Sequence, residues 1–300
     1  MSNRHFFFVV IILLMGMFPL FFFGGPTNYS APLFRKLWDC GHFVFFVCLV
    51  CALHIKIDIS GWRVFAILTA VVFIVGGGIE IVQAHTGRDG NWQDLLNDLA
   101  GTWLALFWLQ KPRFWVWFGR IVATLLLVKP VSMVVLAAWS QFHAERNFPA
   151  IADFESSIEV HGWRGNIERT KVLHSAGSYS LKIHLSTEKF SGVSLREFYD
   201  SWQDFNTLQF DVFNPEKEPI NLAIRISDIR HELGSYEYND RFNKSLHMSS
   251  GWNHVEIPIA AIRTAPATRE LEMGSIAMLV IFATQLQKPQ DIYLDNVKLR

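Results

Sequence analysis

The chain is poor in cysteine and in charge. Its 300 residues hold three cysteines, only 18% are Asp, Glu, Lys or Arg, and the formal net charge is zero. Cys40, Cys48 and Cys51 lie close together, and none follows. Everything after Cys51 therefore folds on core packing without disulfides. A zero net charge excludes a strongly basic nucleic-acid binder, and a 51% hydrophobic content excludes a disordered chain. Local catalytic signatures are missing as well. Gly76-Gly77-Gly78 lies inside an apolar run and is no phosphate loop. There is no Gly-x-Ser-x-Gly elbow and no His-Glu-x-x-His. Cys48-x-x-Cys51 has redox or metal spacing, but within FVFFVCLVCALHI it reads as two buried thiols on an apolar helix.

What is present divides in two. Residues 1–150 carry 11 Lys+Arg and 7 Asp+Glu, whereas residues 151–300 carry 16 and 20. The zero is a cancellation between a sparsely charged half and an ordinary one. A membrane-crossing helix needs about 20 mostly apolar residues. Segments 6–23, 37–57, 62–83, 94–110 and 115–139 approach that description. Segment 6–23 follows a basic start but lacks a small-x-small cleavage site, so it reads as a retained helix. Segment 94–110 is short and more polar, and Lys129-Pro130 interrupts the last. The expectation is an α-helical membrane bundle of about five transmembrane helices over 1–140. Basic residues divide into Arg4, Lys56, Arg63, Lys111, Arg113 and Arg120 against Arg35, Lys36 and Arg88. The positive-inside rule then places the N-terminus in the cytoplasm and everything after Trp139 outside.

Polar residues gather at one set of helix ends. Asp39 and His42 begin the second segment, Glu80 and Gln83 end the third, Arg88 follows, and Asp94 and Asp98 open the fourth. Each pair is spaced i,i+3 or i,i+4 and shares a helix face. Ionisable groups at membrane depth are costly and usually face a bundle interior or a wet cavity. The cluster reads equally as an ion, proton or substrate site and as a polar network that locks the helices. A divalent cation is a lesser alternative there. The series Asp39-x-x-His42-Phe, Gly78-x-Glu80-x-x-Gln83, Arg88 and Asp94-x-x-x-Asp98-x-x-Gly101 resembles the VanZ-like family of small bacterial membrane proteins over about residues 30–110. That resemblance implies a bacterial cytoplasmic-membrane location and a link to glycopeptide-antibiotic tolerance, without naming a reaction.

Residues 141–152 read as a linker, and beyond them the hydrophobic period becomes two. Tyr179, Leu181, Ile183 and Leu185 alternate with polar residues, as do Leu208, Phe210 and Val212. Leu222, Ile224 and Ile226, then Val255, Ile257 and Ile259, repeat the pattern. Segment 277–282 is continuously apolar and 292–299 closes the chain. Short strands separated by Gly, Pro and Asn predict an all-β antiparallel jelly-roll sandwich over 153–300. Gly177-x-Tyr179-Ser180-Leu181-Lys182, Asp240-Arg241-Phe242-Asn243, Gly251-Trp252-Asn253-x-Val255-x-Ile257-Pro258 and Tyr293-Leu294-Asp295-Asn296-Val297 resemble the galactose-binding-like superfamily, which includes carbohydrate-binding modules.

A glycan site needs aromatic faces and polar groups. Arg225, Asp228, His231, Tyr236, Tyr238, Asp240 and Arg241 supply both within one stretch, with Trp252 as a further candidate. Related modules hold a structural calcium between first and last strands, which the resemblance would place on Asp153, Glu155 and Asp295. Three functions stay open. One is an envelope protein binding cell-wall or extracellular glycan through an extracytoplasmic module. Another is a membrane enzyme acting on a lipid-linked glycan or peptidoglycan precursor, with Glu80, Asp94 and Asp98 as acid/base or metal residues. The third is an assembly factor whose sandwich binds protein. The expected partners are membrane lipid and glycan, with no nucleic acid.

Overall fold

A computed structural model of the chain describes residues 3–18, 25–26, 30–59, 61–85, 92–234 and 236–300, with backbone alone at 3–6 and 83–85. The chain divides into two compact units, 1–137 and 138–300.

The first unit is helical. Its elements are α1 (Asn3–Met17), α2 (Pro32–Lys56), α3 (Trp62–His85), α4 (Trp92–Leu109), α5 (Phe114–Leu125) and α6 (Val128–Asn147), the last running on into the second unit. Pro32 starts α2, where a missing N–H costs nothing. The expected span 115–139 lies within one apolar helical stretch, Phe114–Asn147, with a turn between α5 and α6. Pro130 cannot donate to Leu126 and its ring crowds that carbonyl, so the chain turns at Leu126 and Leu127.

Three helical stretches are long and apolar enough to cross a membrane: Pro32–Lys56, Trp62–Val82 and Phe114–Asn147. α4 does not meet that criterion, yet it is the most enclosed helix, packing against α2, α3 and α5. Its small residues explain the close approach. A side chain at Gly101 would fall on the Phe43 carbonyl of α2. Large apolar residues such as Ile12, Ile74, Phe118 and Leu125 point out of the unit, as a lipid-facing surface requires.

The second unit is a sandwich of two antiparallel sheets. β1 (Ala150–Ala152), β3 (Ile167–Thr170), β4 (Ser180–Leu185), β6 (Thr207–Asn214), β9 (Gly251–Pro258) and β11 (Gln290–Leu299) form one, in the order β3-β4-β11-β6-β9 with β1 also on β11. β2 (Trp163–Gly165), β5 (Ser191–Leu195), β7 (Ile220–Asp228), β8 (Phe242–Met248) and β10 (Ile276–Ala283) form the other, ordered β2-β5-β10-β7-β8. Short helices α7 (Ile229–Glu232) and α8 (Ile259–Arg263) follow β7 and β9. The alternating strands pack Leu181, Ile183, Phe210, Ile224, Ile257 and Leu294 into one core with Phe154 and Trp202. Each such side chain contributes about 1.5–3 kcal/mol by leaving water. Residues 141–152 are structured: they continue α6 to Asn147 and form β1.

Candidate functional site

In the helical unit, His42 Nδ1 lies 3.1 Å from Asp98 Oδ1, and both side chains are buried. The contact ties α2 to α4. A side chain at Gly76 of α3 would meet Asp98 Oδ2 at 2.9 Å, and Glu80 follows one turn later on that face. Asp94 lies one turn before Asp98 and within electrostatic reach of His42, Asp39, Glu80 and Asp98. Asp39 is more exposed and pairs with Lys36 Nζ at 3.2 Å, while its carbonyl accepts from Asn97. The expected cluster is therefore gathered at Asp39, His42, Glu80, Asp94 and Asp98. Arg88 and the Gln83 side chain lie outside the described residues. Among the described residues no group of three or more His, Cys, Asp or Glu could hold a metal ion. Cys48 and Cys51 are free thiols, half-buried on α2.

The other end of α4 is held by Arg120. Its guanidinium donates to the carbonyls of Phe107, Trp108 and Gln110 at 3.0, 3.4 and 2.8 Å, satisfying acceptors that a helix C-terminus leaves open. Arg120 is buried within α5 and lies over the Trp117 ring. It is thus no loop charge, which corrects its use in the charge-bias argument.

The sandwich carries a surface that strand alternation predicts only once register is known. On β6, Leu208, Phe210 and Val212 enter the core, so Gln209, Asp211 and Phe213 face outward. Trp252 pairs with Phe213, Phe213 with Tyr293, Tyr293 with Lys182, and Lys182 with Glu168. One row thus crosses five strands of the sheet. Its aromatic part is in ring contact, with centroids 5.2 Å apart for Trp252 and Phe213 and 6.1 Å for Phe213 and Tyr293. Trp252 is 38% exposed, Phe213 half-buried, and Tyr293, beside Phe213 on the next strand, buried. The next two rows on this face are polar. His254 Nδ1 lies 2.6 Å from Asp211 Oδ1, and Gln209 Nε2 donates to Glu256 Oε1 at 2.7 Å. The Asp211 hydrogen bond, against opposing burial, raises the His254 pKa above its ordinary value. Lys182 and His184 pair with Asp291 at 3.0 and 2.7 Å on the same face. Neighbouring strands lie about 4.8 Å apart, so the three rings span about 10 Å.

Trp252 is the one sequence-predicted ligand residue on this sheet. Phe213 and Tyr293 were missed; their signal is an aromatic side chain in the outward phase of a strand. The other seven predicted residues lie on or beside β7, α7 and β8. Asp228, His231 and Asp240 form a clamp with Arg269, which no local motif marks. Arg269 bonds Asp228 at 2.5 and 2.8 Å and Asp240 at 2.5 and 2.8 Å. Asp228 also caps α7 through His231 N at 2.9 Å and accepts from Glu272 N at 2.9 Å. Burial pushes Asp228 upward, but these bonds outweigh it and hold its carboxyl below the usual range. The clamp is a structural tie rather than a ligand surface, since Asp228 and His231 are fully buried. Arg225 bonds Glu232, and Arg241 lies over Tyr238. Tyr236 and Tyr238 are exposed.

The calcium expectation does not fit. Asp153 accepts from Glu155 N, Glu155 from Ser178 N and Tyr179 N, and Asp295 from Ser175 N, Ala176 N and Asn296 N. Both Asp295 oxygens and one oxygen each of Asp153 and Glu155 are taken by backbone donors, and among the described residues these acids form no group that could hold a metal ion.

Fold and site define a chain with an apolar helical unit and a β-sandwich bearing an aromatic row on one open face. No protein-family model matches it, and no curated protein does. The sandwich resembles carbohydrate-binding modules among solved structures. A family 11 carbohydrate-binding module from Clostridium thermocellum, in complex with a β-1,3-1,4-mixed-linked tetrasaccharide, is 17% identical; the match covers 49% of this chain and 92% of that one, with a TM-score of 0.37. A family 16 carbohydrate-binding module is 14% identical over 47% and 92%, with a TM-score of 0.32. An agarase is 14% identical over 50% and 26%, with a TM-score of 0.38.

Proposed function

We propose that this chain is a membrane-anchored glycan-binding protein of the bacterial cell envelope. The observation that carries the reading is the Trp252–Phe213–Tyr293 row. Sugar rings present C–H faces that pack on aromatic rings, and their hydroxyls need nearby donors and acceptors. Trp252 offers the exposed ring, and His254, Glu256 and Lys182 flank the row on the same face. The long apolar helices support anchoring in a lipid bilayer. In this reading the bilayer is the cytoplasmic membrane and the sandwich stands on its extracytoplasmic side. In this reading the helical unit is VanZ-like, counts five spans and bears on glycopeptide-antibiotic tolerance.

The test is binding by the full chain in lipid nanodiscs. Calorimetry against a panel of soluble cell-wall and plant polysaccharides should detect at least one glycan ligand. Failure across the panel would sink the reading.

A second reading, a membrane enzyme acting on a lipid-linked glycan, draws on the buried His42–Asp98 pair. An acid that holds a histidine in one tautomer is a common arrangement for a general base. Retained turnover of such a substrate by Asp98→Asn and His42→Gln variants would remove it.

A further inference from the structure

We propose that Arg225 and Arg241 form a second site, on the other sheet, for a singly charged oxyanion carried on a sugar ring. Arg225 pairs with Asn243 across β7 and β8, and Ile226 with Phe242. Ile226 and Phe242 enter the core, so Arg225, Ser227, Asn243 and the adjoining Arg241 take the outward phase.

The local charge is unbalanced. Glu232 is the buried carboxylate at this place, and its Oε1 accepts from Arg225 Nη2 at 2.6 Å and from Ser227 Oγ at 2.5 Å. Arg241 forms no ion pair among the described residues. Its guanidinium carbon lies 5.3 Å from the Tyr238 ring centroid. The Nε–H groups of Arg225 and Arg241 are both buried without an acceptor. Burial first, and then the Arg225 charge, hold the Arg241 guanidinium below its ordinary pKa.

Within this group two guanidiniums meet one carboxylate, and the neighbouring carboxylates of Asp228 and Asp240 are both taken up by Arg269. Forcing like charges together over unmet donors is unfavourable unless an anion completes the group. Guanidinium forks match the paired oxygens of carboxylate and sulfate. Tyr238, 66% exposed, stands beside Arg241 and supplies an apolar face for the ring that bears the anion. A uronate carboxylate and a sugar sulfate ester share this chemistry.

The experiment uses the full chain in nanodiscs with four probes: D-glucuronate, D-glucose 6-sulfate, D-glucose and inorganic sulfate. Calorimetry should show binding of glucuronate, glucose 6-sulfate or both at millimolar concentration, which tells the two sources apart, and weaker binding of glucose and of inorganic sulfate. Arg241→Gln should weaken the acidic sugar roughly tenfold or more, the loss of one charge-assisted contact. Arg241→Lys should recover part of that loss. Circular dichroism should keep both variants close to the wild-type unfolding midpoint, since Arg241 forms no hydrogen bond or ion pair among the described residues and touches only the exposed Tyr238 ring. Trp252→Ala should leave acidic-sugar binding unchanged, which separates this site from the aromatic row. Three results would overturn the proposal: no acidic sugar bound, equal affinity for inorganic sulfate, or wild-type affinity in Arg241→Gln.

Discussion

Trp252 on β9 stands opposite Phe213 on β6, with ring centroids 5.2 Å apart and planes inclined at 60°. The pair joins the one exposed ring of the row to the less exposed rings beside it. Trp252→Ala should therefore weaken glycan binding about tenfold or more while costing the fold only about 0.5–1.5 kcal/mol. Tyr238→Ala, in the turn before β8 of the other sheet, should leave that affinity unchanged. Calorimetry on both variants decides; equal losses would move the glycan site away from the row.

The His254–Asp211 pair makes the same face sensitive to pH. The Asp211 bond, chiefly, raises the His254 pKa above 6.5. Its contribution to stability is thus complete below about 6.5 and fades as pH rises through the raised value. Burial pushes Asp211 upward, but bonds from Ser175, His254 and Asn296 hold it below 3.8. That contribution is present above 3.8 and is lost as pH falls through the lowered value. The pair therefore supports the fold best between these limits. His254 is half-exposed, so solvent screening keeps the effect under about 1 kcal/mol. Urea midpoints followed by tryptophan fluorescence should drop slightly between about pH 6 and pH 8 in the wild type and not in His254→Gln. Parallel pH profiles would refute this account.

Arg269 is the tie on which the end of β7 depends. Arg269→Met removes both bidentate pairs and leaves Asp228 fully buried with no counter-ion. Breaking a buried pair costs about 3–5 kcal/mol. Lysine, a point charge without the planar fork, should recover little of it. In the wild type Asp228 and Asp240 have lowered pKa values, so stability falls as pH drops below the ordinary 3.8. In the methionine variant burial raises Asp228 against only the His231 and Glu272 backbone bonds, so its pKa rises relative to the wild type and acidification should cost the variant less. Chemical denaturation at about pH 7 and pH 4 distinguishes the two behaviours.

Strands with strict alternation, such as 181–185 and 208–212, were legible because their apolar phase is uninterrupted. β2, β5 and β8 were not: WRG is too short to show a period, and SGVSL and FNKSLHM carry small or charged residues between their core positions. Gly192 in β5 has its own reason, since a side chain there would fall on the Ile281 carbonyl of β10. The site was harder still. Asp228, His231 and Asp240 are near neighbours in sequence, but Arg269 stands 41 residues from Asp228 and 29 from Asp240. Phe213 and Tyr293 join Trp252 only through sheet register, which no local pattern encodes. In the helical unit, i,i+3 and i,i+4 spacing put His42, Glu80, Asp94 and Asp98 on the right faces. The enclosure of α4, whose first turns carry Gln93, Asp94, Asn97 and Asp98, had no such signal.

The enclosure of α4 gives a direct test of the bundle. An added side chain at Gly101 meets the Phe43 carbonyl, which is backbone and cannot rotate away. α2 and α4 must then separate, and the His42–Asp98 contact between them lengthens. Gly101→Val should destabilise the helical unit by about 1–3 kcal/mol. Gly77→Ala is the matched control, because nothing lies within 4 Å of a side chain there. Alanine also favours a helix more than glycine does, so that variant should melt at or above the wild-type temperature. Helical circular dichroism on the full chain in nanodiscs reports both. A Gly101→Val variant that melts with Gly77→Ala would show that α2 and α4 do not pack through this glycine.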